Sequence, residues 1–104
     1  MKLVEITPRQ KTRLYAALTK KEADIRSRGR GTFFRVGRKA QAKAEWKHKK
    51  FKGSIQLTRG DAETVTARVR SSKLEEERQL LSSFLGFVDR HCGEGVSSIR
   101  IEYR

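Results

Sequence analysis

Between Arg26 and Lys52 the chain sets eleven cations against a single acid, Glu45. The cations are Arg26, Arg28, Arg30, Arg35, Arg38, Lys39, Lys43, Lys47, Lys49, Lys50 and Lys52, and Phe33, Phe34, Trp46 and Phe51 lie among them. Lys and Arg neutralise phosphates and release their counterions, and aromatic faces stack bases at ~1–3 kcal/mol each. Together these residue types suit a flexible polyanion with planar groups. Phe34 and Phe51 fall in the apolar phase of their segments and are expected in a core. Phe33 and Trp46 are therefore the aromatics expected to stay partly exposed and to join the eleven cations in the candidate site.

Catalytic chemistry has less to work with. His48 and His91 are the only histidines. His91 is followed at once by Cys92 near a helix end, and neighbouring side chains on a helix do not face each other, so these two make no Cys–His pair. His48 stands among Lys47, Lys49 and Lys50, whose charge should depress its pKa. It reads as a basic-surface histidine, with a general base in a metal-independent ribonuclease as the minor alternative. Glu22 and Asp24 are two apart on a helix and cannot converge on one metal. No phosphate-binding glycine motif, nucleophile elbow or metal-ligand spacing is present. The single cysteine excludes an intramolecular disulfide and a multi-cysteine zinc site. A non-catalytic chain without cofactor or metal is expected.

The charge is lopsided along the chain. Residues 1–59 hold 18 Lys and Arg against four acids, for +14, whereas residues 60–104 hold seven against eight. Such an imbalance costs self-repulsion, and an ordinary solvated face mixes signs, so the excess points to a polyanionic partner. At 104 residues one domain is expected, 1–104, with core enough to fold without staples. The opening Met1-Lys2-Leu3-Val4-Glu5-Ile6-Thr7-Pro8 has no apolar signal region, and no run approaches the ~20 apolar residues of a membrane span. A soluble, cytoplasmic protein is expected, its oligomeric state unfixed.

The elements that must position these residues follow from periodicity. Leu3 to Thr7 suits a short strand, and Thr7-Pro8-Arg9-Gln10 has the N-cap, proline and capping-box signals of a helix start. Leu14, Leu18 and Ile25 share one face of that helix, which should end by Gly29. Arg26 to Gly31 forms a basic loop, followed by a strand from Thr32 to Val36. From Ala40 to His48 apolar and polar residues alternate, which favours strand, although the composition also suits a helix. The phase reverses between His48 and Phe51, which predicts a bulge or turn near Lys49-Lys50.

Ile55 to Leu57 and Val65 to Val69 should form a hairpin about Arg59-Gly60-Asp61-Ala62. On the strand reading Lys43, Lys47 and Lys49 share a face with Gln41, to which Arg68, Arg70 and Arg100 would add. Ser72-Lys73-Leu74-Glu75 reads as a capping box. It opens a helix with Leu74, Leu81, Phe84, Leu85, Val88 and Cys92 on its apolar stripe, stopped by Gly93. Ser98 to Tyr103 alternates as a last strand. The order (β)-α-β-β-β-β-α-β predicts an α+β domain, an antiparallel sheet of about four to five strands with two helices on one face.

Three resemblances bear on function. Arg28-Gly29-Arg30-Gly31 resembles the arginine-glycine repeats of RNA-binding tails, where Arg offers a planar fork for phosphate. Glu5-Ile6-Thr7-Pro8 before a basic amphipathic helix is similar to the opening of ribosome-hibernation factors, which bind ribosomal RNA. Their β-α-β-β-β-α topology has no place for Ser98 to Tyr103. The helix–strands–helix order is also similar to a double-stranded-RNA-binding domain. Those domains carry lysines at the start of the last helix, where this chain has Lys73-Leu74-Glu75-Glu76-Glu77. The first reading is a nucleic-acid-binding module favouring RNA or single strands. An assembly module docking an acidic protein is the alternative, and an anionic-membrane binder or small nuclease ranks behind both.

Overall fold

The structure, a computed structural model, describes residues 1–38 and 40–104. Its elements are β1 (Lys2–Pro8), α1 (Leu14–Ser27), β2 (Phe33–Val36), β3 (Lys43–His48), β4 (Ser54–Arg59), β5 (Val65–Arg70), α2 (Leu74–Cys92) and β6 (Val96–Tyr103). The class is α+β, as the patterning predicts. The sheet, however, has six strands rather than four to five, all antiparallel, in the order β2-β3-β4-β5-β1-β6. The difference lies at the N-terminus. The short first strand of the sequence reading is seven residues long and lies inside the sheet, between β5 and β6.

Alternation in each strand produces the core. The cross-strand row Ala44–Leu57–Ala67–Val4–Ile101 runs from β3 to β6, and beside it run Trp46–Ile55–Val69 and Val65–Ile6–Ile99. Against this face pack Leu14, Tyr15 and Leu18 of α1 and Leu80, Leu81, Phe84, Phe87 and Val88 of α2, in one cluster. The opposite phase carries Phe34, Lys43, Glu45, Lys47, Gln56, Thr58, Thr66 and Arg68, and no helix covers it.

Both helix starts depart from the sequence signals. Pro8 stays in β1, because Arg9 N donates to Gly95 O (2.9 Å) and extends the chain past the proline. A left-handed Lys11 (φ 62°) then reverses the chain, and the helix opens only at Leu14, the first residue of its apolar stripe. At α2 the capping box does not form. Ser71 Oγ accepts from Lys73 N instead, while Glu77 turns inward to accept from Lys2 Nζ and Ser71 N. The stripe shifts accordingly: Leu80 and Phe87 are buried and Leu74 is exposed. The alternation over 43–48 does give a strand, and a turn separates it from β4 at the predicted phase reversal.

Candidate nucleic-acid interface

Ten of the eleven cations lie among the described residues, and eight of these are exposed: Arg28, Arg30, Arg38, Lys43, Lys47, Lys49, Lys50 and Lys52. Among the described residues none of the eight has an acidic partner within ion-pair distance. Arg26 is different, with Nε 3.0 Å from Oε2 of the buried Glu22 one helical turn earlier. Arg35 is half-buried and lies across from Trp46, at the margin of the core. Lys39 lies outside the described residues.

Five of the exposed cations fall into two neighbouring loop groups, and the other three, Arg38, Lys43 and Lys47, lie on or beside the open face of the sheet. Lys49, Lys50 and Lys52 occupy the β3–β4 turn, and Arg28 and Arg30 the α1–β2 loop. Lys49 N donates to Thr32 O (2.8 Å), which closes the turn onto that loop. His48 builds the turn from inside, its Nδ1 accepting from Lys50 N (2.9 Å) and Phe51 N (3.3 Å). Lys52 N is held by Glu76 Oε1 (3.2 Å), so the turn is tethered to α2.

Lys43 and Lys47 lie on the open face of the sheet with Arg68, Arg70 and Arg100, as the alternation predicts. Glu45 and Glu5 share that face, opposite Gln56 and Arg100. Towards β2 the face hollows into a cleft of ≈ 560 Å³, lined in part by Arg38, Lys43, Glu45, Thr58 and Arg68. Tyr15 anchors its rim, its hydroxyl donating to Ala40 O (3.0 Å). Burial raises the pKa of that hydroxyl, against the opposing charges of Arg59 and Arg35.

Phe33, Trp46 and Phe34 are placed the other way round from the sequence expectation, whereas Phe51 packs in part against the core, as expected. Trp46 is 0% exposed, with ring centroids of Phe87, Phe33 and Phe84 within 5.2, 5.9 and 6.2 Å. Phe33 is 3% exposed and meets His48 edge-on at 5.0 Å. Neither can stack a base. Register is the cause: Phe33 pairs with His48 and Arg35 with Trp46, so the odd positions of β2 face the helices and Phe34 turns to the open side opposite Lys47. The signal for Trp46 was present, since it shares a phase with Ala44 between outward lysines. For the adjacent pair Phe33-Phe34 only cross-strand register decides. Phe34 and Phe51 are the half-buried aromatics that the sequence reading set aside, and Lys50 Nζ lies 5.5 Å from the Phe51 ring centre.

Burial lowers the His48 pKa, helped by Lys50, and lowers that of His91, helped by Lys21 and Arg90. Burial raises that of Cys92, against Lys21. Among the described residues no three of His, Cys, Asp and Glu are grouped to hold a metal ion. None of their helices is long and apolar enough to cross a membrane. The arrangement offers a broad cationic surface with two half-open aromatic rings and a histidine committed to turn geometry. Comparison with family models, with curated proteins and with solved structures finds no match to the chain.

Proposed function

We propose that the protein binds RNA or single-stranded nucleic acid along the β3–β4 turn, the α1–β2 loop and the open face of the sheet. The observation that supports this reading is the set of eight exposed cations with no acidic partner, in a segment that holds one acid. Uncompensated charge of this kind is available to phosphates, and each contact returns a condensed counterion to solution. Phe34 beside Lys47 and Phe51 beside Lys50 take over the stacking role first assigned to Phe33 and Trp46. Arg26 and Arg35 support the fold in this reading and contribute little to affinity.

Fluorescence anisotropy tests it, with labelled single- and double-stranded RNA and DNA titrated by nuclease-treated protein from ~50 to ~300 mM salt. Binding that prefers a single strand is expected. About six phosphate contacts give a log–log salt slope near −4, at roughly −0.7 per phosphate. The triple variant K47E/K49E/K50E abolishes binding with its far-UV circular dichroism unchanged. Equal, weak affinity for all four nucleic acids, erased by ~150 mM salt, overturns the reading. An acidic protein that stays bound after nuclease treatment would assign the same cations to a protein partner.

A further inference from the structure

The two edges of the sheet are unlike. β2 is four residues long, between Gly31 and Gly37, both at positive φ, and such a short edge offers little to a pairing strand. β6 is eight residues long, contains no proline, and keeps regular register with β1 from Ser98 to Tyr103. Half of its backbone has no partner. Arg104 N donates to Met1 O (2.9 Å) and Met1 N to Arg104 O (3.1 Å), so the polar groups of Arg104 turn towards β1. Antiparallel ladders alternate. Glu102, Arg100 and Ser98 therefore also turn towards β1, while the N–H and C=O groups of Ile99, Ile101 and Tyr103 point away from the sheet. Their side chains lie on the helix side, where Ile101 packs against the core cluster while Ile99 stays 37% and Tyr103 73% exposed.

The sequence of β6 selects one self-pairing. Residues that face each other across antiparallel strands share a side of the sheet, so a two-fold axis must pass through a residue. An axis at Arg100 sets that arginine against itself. One at Glu102 does the same to the glutamate and sets Arg100 against Arg104. One at Ile99 sets Glu102 opposite Val96, where the register with β1 is already broken. An axis at Ile101 sets no like charges against each other. Arg100 of each copy then faces Glu102 of the other, in the closely spaced non-hydrogen-bonded sites. Ile101 faces itself and Ile99 faces Tyr103 as hydrogen-bonded pairs, using the outward N–H and C=O groups.

We propose that β6 is a homodimer interface, a second copy pairing antiparallel across a two-fold axis at Ile101 and joining two six-stranded sheets edge to edge. The pairing is independent of what the basic surface binds. It covers the exposed Ile99 and Tyr103 and makes the two open faces continuous.

Sedimentation equilibrium tests it. The wild type is expected at twice 12.0 kDa. R100E sets like charges against each other at both close pairs, as does E102R, and each variant alone sediments as a monomer. Mixing the two brings opposite charges together at every pair, so the mixture sediments as a dimer. I99P removes an outward N–H without touching a bond to β1, and is expected to be a folded monomer. A wild type of 12.0 kDa throughout the micromolar range overturns the proposal. So does a mixture that stays monomeric while circular dichroism shows both variants folded, or a dimer that survives in R100E and in E102R.

Discussion

The Lys2 ammonium lies 2.6 Å from Glu77 Oε1 with both side chains buried, and the Met1 amine adds a second cation at 3.4 Å. Burial alone would raise the Glu77 pKa. The hydrogen bond from Lys2, the Ser71 N–H and the two positive charges outweigh it, and the carboxyl is held below its ordinary value. Removing one partner strands the other, so E77A is expected to cost ~3–5 kcal/mol in a urea titration. The double variant K2M/E77L should come much closer to the wild type, since it leaves no buried charge. His48 couples stability to pH in the neutral range. Burial, helped by the Lys50 charge, holds its pKa below ordinary, and its Nδ1 accepts two N–H groups as the neutral ring. The stabilisation is fully present above pH ~6.5 and is lost as pH falls through the folded-state value. H48N, which keeps an acceptor without a titrating group, is expected to flatten the fall in melting temperature between pH ~7 and ~5, leaving the share due to His91.

At the scale of elements, the β3–β4 turn carries three of the candidate cations and is set by one backbone position. Gly53 sits at φ +128° where β5 and α2 approach. A Cβ there would collide with the Arg70 carbonyl oxygen and lie 2.6 Å from Leu80 Cδ1. Gly29, also at positive φ, has open space around it. G29A is therefore expected to cost about 1 kcal/mol, while G53A costs more than the ~1–3 kcal/mol of backbone strain alone and loosens Lys49 to Lys52. Thermal melts of the two variants read the difference directly. The strands were legible in the sequence because period-two alternation survives any tertiary context that buries one face, as at Lys43 to His48 and Val65 to Val69. The helix starts were not, since a proline or a capping serine is a local signal. At Pro8 the pairing with β6 overrides it, and at Ser72 the demand of Lys2 for Glu77 does so.

Over the whole molecule, charge was the most legible feature, because a count needs no geometry. Of the ten described cations in one sequence segment, eight are also exposed in space. The aromatic half of the candidate site was not legible: which of Phe33 and Phe34 faces outward depends on pairing with His48 and Lys47, about fourteen residues away. The number of strands failed for a related reason, since a first strand gains its place only from partners encoded far along the chain. That arrangement orders events in time. The strands β2 to β5 are sequential neighbours and can zip up locally, whereas β1 is bracketed by β5 and β6 and reaches across nearly the whole chain to meet them. A ribosome must therefore deliver Val65 before β1 has its first neighbour and Val96 before it has its second. Until then an apolar strand, Leu3-Val4-Glu5-Ile6, waits uncovered beside a segment already dense in positive charge.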